Sequence, residues 1–218
     1  MMFITELKKD KKHLSKDLLS SGEEILLDNE VCAENCLQSG VEIDSTRLKE
    51  LKHESDFKRA KSRALWYLDR MDYTEKNLFD KLIKAGFGKK ISAEVLAWLK
   101  EFGLIDDVRY AERFAECCRD NNISKREAVH KMLQKGIPYD LAKQVTEELE
   151  TDEEAQINAL IERKYARKLQ EEKGTEKVFA ALARKGFNFS AIKTALKKYN
   201  EELEYSEEFS CIRFVWCH

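Results

Sequence analysis

Proline is almost missing from this chain: there is one in 218 residues, beside only eight glycines. Ordinary usage would supply roughly ten prolines and fifteen glycines, at about 5% and 7%. A β-sandwich or barrel needs many Gly/Pro turns and a collagen needs periodic glycine, so both are excluded. No run of ten residues lacks a charged side chain, and so no segment suits a bilayer span. The opening MMFITELKKDKK sets Glu6 and four lysines where a secretory leader needs its apolar stretch. The expected location is the cytoplasm, where Cys32, Cys36, Cys117, Cys118, Cys211 and Cys217 are expected as reduced thiols. A dominant charge sign is lacking too, because 39 Lys+Arg against 41 Asp+Glu leaves a net of −2. With 43% hydrophobic and 37% charged residues, the chain has material for a core and a heavily ionic surface. What remains is a mainly α protein with long helices and short connections.

Strand-like signals occur only near the start. Met2–Lys8, His13–Leu19 and Glu23–Leu27 are short segments separated by Lys-Asp-Lys-Lys and by Ser20-Ser21-Gly22. Gly22 suits a hairpin turn because it tolerates positive φ. Asn29–Gln38 reads as a short helix ending at Gly40, with Cys32 and Cys36 one turn apart. A second helix starts at Asp44/Ser45, both good N-cap residues, and runs toward Met71.

From about residue 56 the chain repeats itself. Gly86, Gly136 and Gly186 follow one another at intervals of fifty residues. Leu82, Met132 or Leu182 stands four residues before each glycine, and Phe87, Ile137 or Phe187 directly after it. Helix-start residues lie eleven or twelve positions upstream: Thr74 with Glu75, Ser124, and Thr175 with Glu176. Downstream, Ile91/Val95/Leu99, Leu141/Val145/Leu149 and Ile192/Leu196/Tyr199 each mark one helical face. The phrase predicts a three-turn helix, capped by Thr or Ser and stopped by a left-handed C′ glycine. The apolar residue after the glycine folds back on that helix, and a second helix follows at once. The one proline, Pro138, falls at the start of such a following helix, where its missing N–H costs little.

Further helices over 57–71, 107–120 and 153–170 precede the caps, so each unit has three helices and a tight turn, close to a helix-turn-helix. The expected organisation is an N-terminal β/α extension over 1–55, repeats over 56–106, 107–151 and 152–203, and a tail over 204–218. Stacked in series, three such repeats predict an elongated, curved array. Between the first two, Gly103 ends one helix, Leu104 and Ile105 plug the joint, and Asp106/Asp107 cap the next helix at its positive end. Tyr110 is expected to pack at that joint.

The phrase Gly103-Leu-Ile-Asp-Asp-x-Arg-Tyr-Ala111 and the repeated Leu-x-x-x-Gly-[Phe/Ile] turns resemble the RecX family of bacterial RecA regulators. So does Ala64-Leu-Trp-Tyr-Leu followed by Tyr73-Thr-Glu-x-x-Leu78. The resemblance covers about residues 57–200, and Ser21-Gly-Glu23 is similar to the N-terminal extension of some members. It implies a non-enzymatic modulator, active in recombination, DNA repair and the SOS response, that binds the RecA filament on DNA. It would block filament extension, ATP turnover and strand exchange. Two departures stand out: Gly174 sits where a cap is expected in the third unit, and Ser206–His218 match nothing in the family.

Arg63, Arg113 and Arg163 share one repeat position, 23 residues before each glycine. Lys84/Gln134/Arg184 and Ala85/Lys135/Lys185 precede the turns. With Arg109 at the joint, such a row can meet phosphates or acidic patches on a regular filament; the competing reading is solvated faces and local ion pairs. Residues 56–150 carry 19 Lys+Arg against 17 Asp+Glu, far from the balance of a dedicated DNA binder. DNA contact is therefore expected to be weak, salt-sensitive and secondary to protein contact. A monomer is expected and suffices for action on the filament; a direct DNA-binding tandem helix-turn-helix protein and a helical interaction adaptor remain as alternatives. No catalytic residues, cofactor or metal are expected. His13, His53, His130 and His218 are scattered, and Cys117/Cys118 align with the packing positions Tyr67/Leu68. Cys211, Cys217 and His218 have the wrong spacing for a zinc site and lack a fourth ligand.

Overall fold

A computed structural model describes residues 2–11 and 14–201. The chain divides into two compact units, one through Asp106 and the other from Asp107 onward.

The first unit opens with strands β1 (Met2–Lys11), β2 (Leu14–Leu19), β3 (Glu24–Asp28) and β4 (Glu42–Ile43), in the antiparallel order β3-β2-β1-β4. The first strand does not stop at the Lys-Asp-Lys-Lys break. It runs through Lys11 against β2, and its register shifts between Lys9 and Lys11. The hairpin at Gly22 forms with φ of +82°. β4 has no signature in the sequence because it is two residues long and pairs only Met2 with Ile43 and Phe3 with Glu42.

Helix α1 (Asn29–Glu34) is shorter than the expected segment through Gln38. Its end at Asn35 puts Cys36 in a left-handed conformation (φ +52°), so Cys32 is buried on the helix while Cys36 is exposed beyond it. Helix α2 (Ser45–Leu68) is capped by the Asp44 side chain, which accepts the Arg47 N–H. Its first half gives Leu48 and Leu51 to the core under the sheet, with Ile4, Leu19, Leu27, Val31 and Ile43. Its second half gives Ala60 and Ala64 to the first repeat. One helix serves both cores.

Polar groups are enclosed beside the sheet core. The Ser55 hydroxyl accepts the Asp28 N–H at 2.8 Å, and the Cys32 thiol lies 3.8 Å from Asp17 Oδ2. Asp17 is fully buried and its Oδ1 has no hydrogen-bond partner. Burial raises the Asp17 carboxyl above its ordinary value, against a smaller opposing effect of the Cys32 contact. Burial and the Asp17 charge push the Cys32 thiol up to about 11. A raised Asp pKa stabilises the fold fully below the unfolded value near 3.8 and loses that contribution as pH rises through the folded value. Asp17→Asn is therefore expected to raise the melting temperature at pH 7 and to lose this advantage toward pH 4. An equal difference at both pH values would contradict the assignment.

The repeats share one design. In the first, α3 (Glu75–Lys84) and α4 (Lys89–Glu101) pack with α2 around Leu78, Leu82, Val95 and Leu99. In the second, α5 (Asp107–Asp120), α6 (Lys125–Gln134) and α7 (Tyr139–Glu148) enclose Ala111, Ala115, Met132, Ile137 and Val145. The third comprises α8 (Glu153–Leu160), a π-helical turn over Ile161–Tyr165, α9 (Ala166–Leu169), α10 (Gly174–Arg184) and α11 (189–201), around Ile157, Ile161, Leu182, Phe187 and Ile192. All three glycine turns are left-handed, at +95°, +90° and +88°. In each, the N–H three past the last helical residue reaches back to a carbonyl: Phe87 to Leu82, Ile137 to Met132 and Phe187 to Leu182, at 3.1–3.3 Å. This pairing, with Gly86 to Ile83 and its equivalents, is the Schellman arrangement.

Caps hold in two repeats and change in the third. Thr74 Oγ1 accepts the Asn77 N–H and Ser124 Oγ the Glu127 N–H, each at 3.2 Å. Thr175 does not start its helix. The helix begins one residue earlier, at Gly174, behind a left-handed Lys173 (φ +57°) and without a side-chain cap. The expected continuous helix over 153–170 is likewise interrupted by the π-turn, which shifts the register of everything after Leu160. Leu104 does not act as a plug: it is 46% exposed, and only Ile105 is buried.

Candidate protein-interaction surface

The basic residues of the repeats differ in exposure. Lys135 is the C-cap residue of α6 and half-buried, and its ammonium lies over the Phe114 and Tyr110 rings at 5.3 and 5.9 Å. Tyr110 itself stacks on Phe114 at 6.1 Å, so it packs within the second repeat. Lys185 occupies the same repeat position before Gly186. Its Nζ lies 3.8 Å from Glu127 Oε2, and its carbonyl accepts the Ser124 hydroxyl. Ser124 thus caps α6 and ties it to the third repeat's turn. Part of the sequence periodicity is architectural.

Arg63, Lys84, Arg109, Arg113, Arg163 and Arg184 are exposed. Arg63 stands on α2 with its guanidinium 5.4 Å from the Trp66 ring centre, and Lys84 closes the last turn of α3. Arg109 and Arg113 are four residues apart on α5, one above the other on its face. Arg184 donates to its own helix through the Ala180 carbonyl. Arg163 falls inside the π-turn, where Arg63 and Arg113 stand on regular α-helix. Equal spacing in sequence does not give it equal geometry. Asp106 precedes α5 and Asp107 is its first residue, at the end where negative charge is favoured.

Two features escape the sequence reading. Trp66 is 45% exposed, with the Arg70 guanidinium 3.5 Å above its ring. The clue lies in helical phase: Ala60 and Ala64 mark the buried face, and Trp66 falls off it. Tyr139 and Phe189 are exposed at the same position in successive repeats, three residues after Gly136 and Gly186.

Burial raises the Cys118 thiol, the opposite of what a nucleophile needs, and the exposed His130 ring meets the Gln134 amide at 3.0 Å. His13, Cys211, Cys217, His218 and the 204–218 tail lie outside the described residues. Among the described residues no helix is long and apolar enough to cross a membrane.

Comparison with known proteins places this architecture. Residues 60–99 match the model of the first three-helix domain of RecX, and residues 152–196 that of the third. Regulatory protein RecX of Clostridioides difficile is 30% identical over 174 residues, covering 78% of this chain and 81% of that protein. Its counterpart from Clostridium tetani is 26% identical over 202 residues, covering 89% and 93%. Among solved structures, a regulatory protein RecX superposes with a TM-score of 0.66 over 89% of this chain, and RecX from Lactobacillus salivarius with 0.59 over 66%. At 21% and 23% identity, these two speak for the fold. The repeated glycine turns, the three-helix units and the near full-length relatives agree: the chain belongs to the RecX family of regulatory proteins.

Proposed function

We propose that this chain is a non-enzymatic regulator of the RecA recombinase that binds the RecA filament on DNA and inhibits its extension, ATP hydrolysis and strand exchange. The observation that carries the reading is family membership over most of the chain, with relatives named as regulatory proteins. Tandem repeats suit a repeating partner. Each repeat makes a weak contact, and linkage converts the second and third contacts into intramolecular events with a high effective concentration. A monomer suffices, with repeats bounded near 56–106, 107–151 and 152–203.

The outward side chains Arg63, Lys84, Arg109, Arg113, Arg163 and Arg184 are the proposed contact set. Lys135 and Lys185 contribute less, because both are half-buried. Charge reversal at both Arg109 and Arg113 is expected to raise the concentration needed for half-inhibition of RecA about tenfold, equivalent to ~1.4 kcal/mol. The circular dichroism spectrum should not change. Unaltered inhibition would place the contact surface elsewhere. Direct DNA affinity is weak, consistent with the near-neutral charge balance.

A further inference from the structure

Beside Trp66 the first unit contains a cleft of about 560 Å³, bounded by Leu14, Asp28 and Glu30, by Lys58, Arg59 and Arg63 of α2, and by Phe87 of the first glycine turn. Its cations are not equivalent. Lys58 is held by Glu30 at 2.7 Å and Glu34 at 3.0 Å, and Arg59 by Asp56 at 3.2 Å. Arg63, in the cleft wall, and Arg70, over the indole, meet no carboxylate among the described residues. The half-exposed indole thus has the Arg70 guanidinium against its ring and the Arg63 guanidinium beside it, and neither meets a carboxylate among the described residues. Such a site binds a flat ring against the indole and one anionic group at the neighbouring guanidinium.

We propose that this cleft takes a nucleotide unit of a nucleic-acid single strand, with the base against Trp66 and its phosphodiester at Arg63. A strand fits better than a free nucleotide. One guanidinium in the cleft, without a carboxylate partner among the described residues, matches the single charge of a phosphodiester, whereas a di- or triphosphate needs several donors at once. A duplex is disfavoured because its bases are stacked on one another and cannot reach the ring. An acidic peptide offers carboxylates to Arg63 but no flat ring to the indole. Stacking of this kind is sequence-tolerant, and contact through one cation makes the binding weak and salt-sensitive. The site shares Arg63 with the proposed filament contacts, but it acts on nucleic acid with no recombinase present.

The test uses the full chain at low salt with a fluorescein-labelled oligo(dT) strand, read by anisotropy, while unlabelled oligo(dT) is followed by tryptophan quenching. Trp66→Ala is expected to weaken binding about tenfold and to abolish most of the quenching, with Trp66→Phe within about threefold of wild type. Arg63→Glu should weaken binding and flatten its salt dependence. Melting curves of Trp66→Phe and Arg63→Glu that match wild type separate loss of the site from loss of the fold. Binding unchanged in Trp66→Ala overturns the proposal. So does equal quenching by free ADP at the same nucleotide concentration, by duplex, or by poly-glutamate. RecA inhibition measured on the Trp66 variants, which leave the proposed filament contacts in place, reports on the filament reading separately.

Discussion

Gly174→Ala is expected to destabilise the second unit by about 3 kcal/mol, at the upper end of what overpacking a core position costs. Gly174 is buried, and its φ is not in the left-handed region, so backbone freedom is not what the position requires. Space is. A Cβ there would overlap the Lys168 carbonyl oxygen and stand 2.8 Å from the Leu169 carbonyl oxygen. Both obstacles are backbone, which cannot swing aside as a side chain can. The fifty-residue period places Gly174 where Thr74 and Ser124 cap their helices. The third repeat has exchanged the cap hydroxyl for a close approach of α9's end to α10's start. Denaturant unfolding of Gly174→Ala, against Thr175→Ala at an exposed neighbour, measures this. A loss below about 1 kcal/mol would refute the close approach.

Gly186→Ala is expected to cost about 2–3 kcal/mol, and Gly86→Ala about 1 kcal/mol, although both glycines end equivalent helices at nearly the same φ. A left-handed alanine accounts for the common part. The difference arises from neighbours. A Cβ on Gly86 meets nothing within 4 Å, whereas on Gly186 it would stand 2.9 Å from Arg126 Cβ and 3.0 Å from Ser124 Oγ. The second turn of this pair is an interface with α6, held by the Ser124–Lys185 hydrogen bond and the Glu127–Lys185 pair. Equal losses at Gly86 and Gly186 would mean that the contact with α6 yields without cost.

What was legible in the sequence was whatever depends on local backbone chemistry. A glycine after an amphipathic helix announces its left-handed turn, and Thr74 and Ser124 announce their caps. Leu82 announces its burial through helical phase, and Phe187 by following the turn glycine, where a Schellman turn folds the next apolar residue back. Features that depend on distant partners were not legible. β4 exists only because β1 offers it an edge. The π-turn at Ile161–Tyr165 leaves no compositional trace, yet it sets Arg163 apart from Arg63 and Arg113. The early end of α1 at Asn35 depends on a left-handed Cys36, a residue with no preference for that conformation. For the contact surface, spacing identified the basic row but could not separate Lys135, held over aromatic rings, from the outward Arg113. Trp66 was hidden inside a phrase of which Ala64, Tyr67 and Leu68 face the core.

The central claim, that this RecX-family chain acts on the RecA filament, is tested most directly by adding the purified protein to RecA assembled on single-stranded DNA and following ATP hydrolysis. The account predicts a progressive fall in the hydrolysis rate as the protein approaches stoichiometry with RecA, deeper when it is present before the filament has finished growing. A hydrolysis rate unchanged at stoichiometric concentration would contradict it.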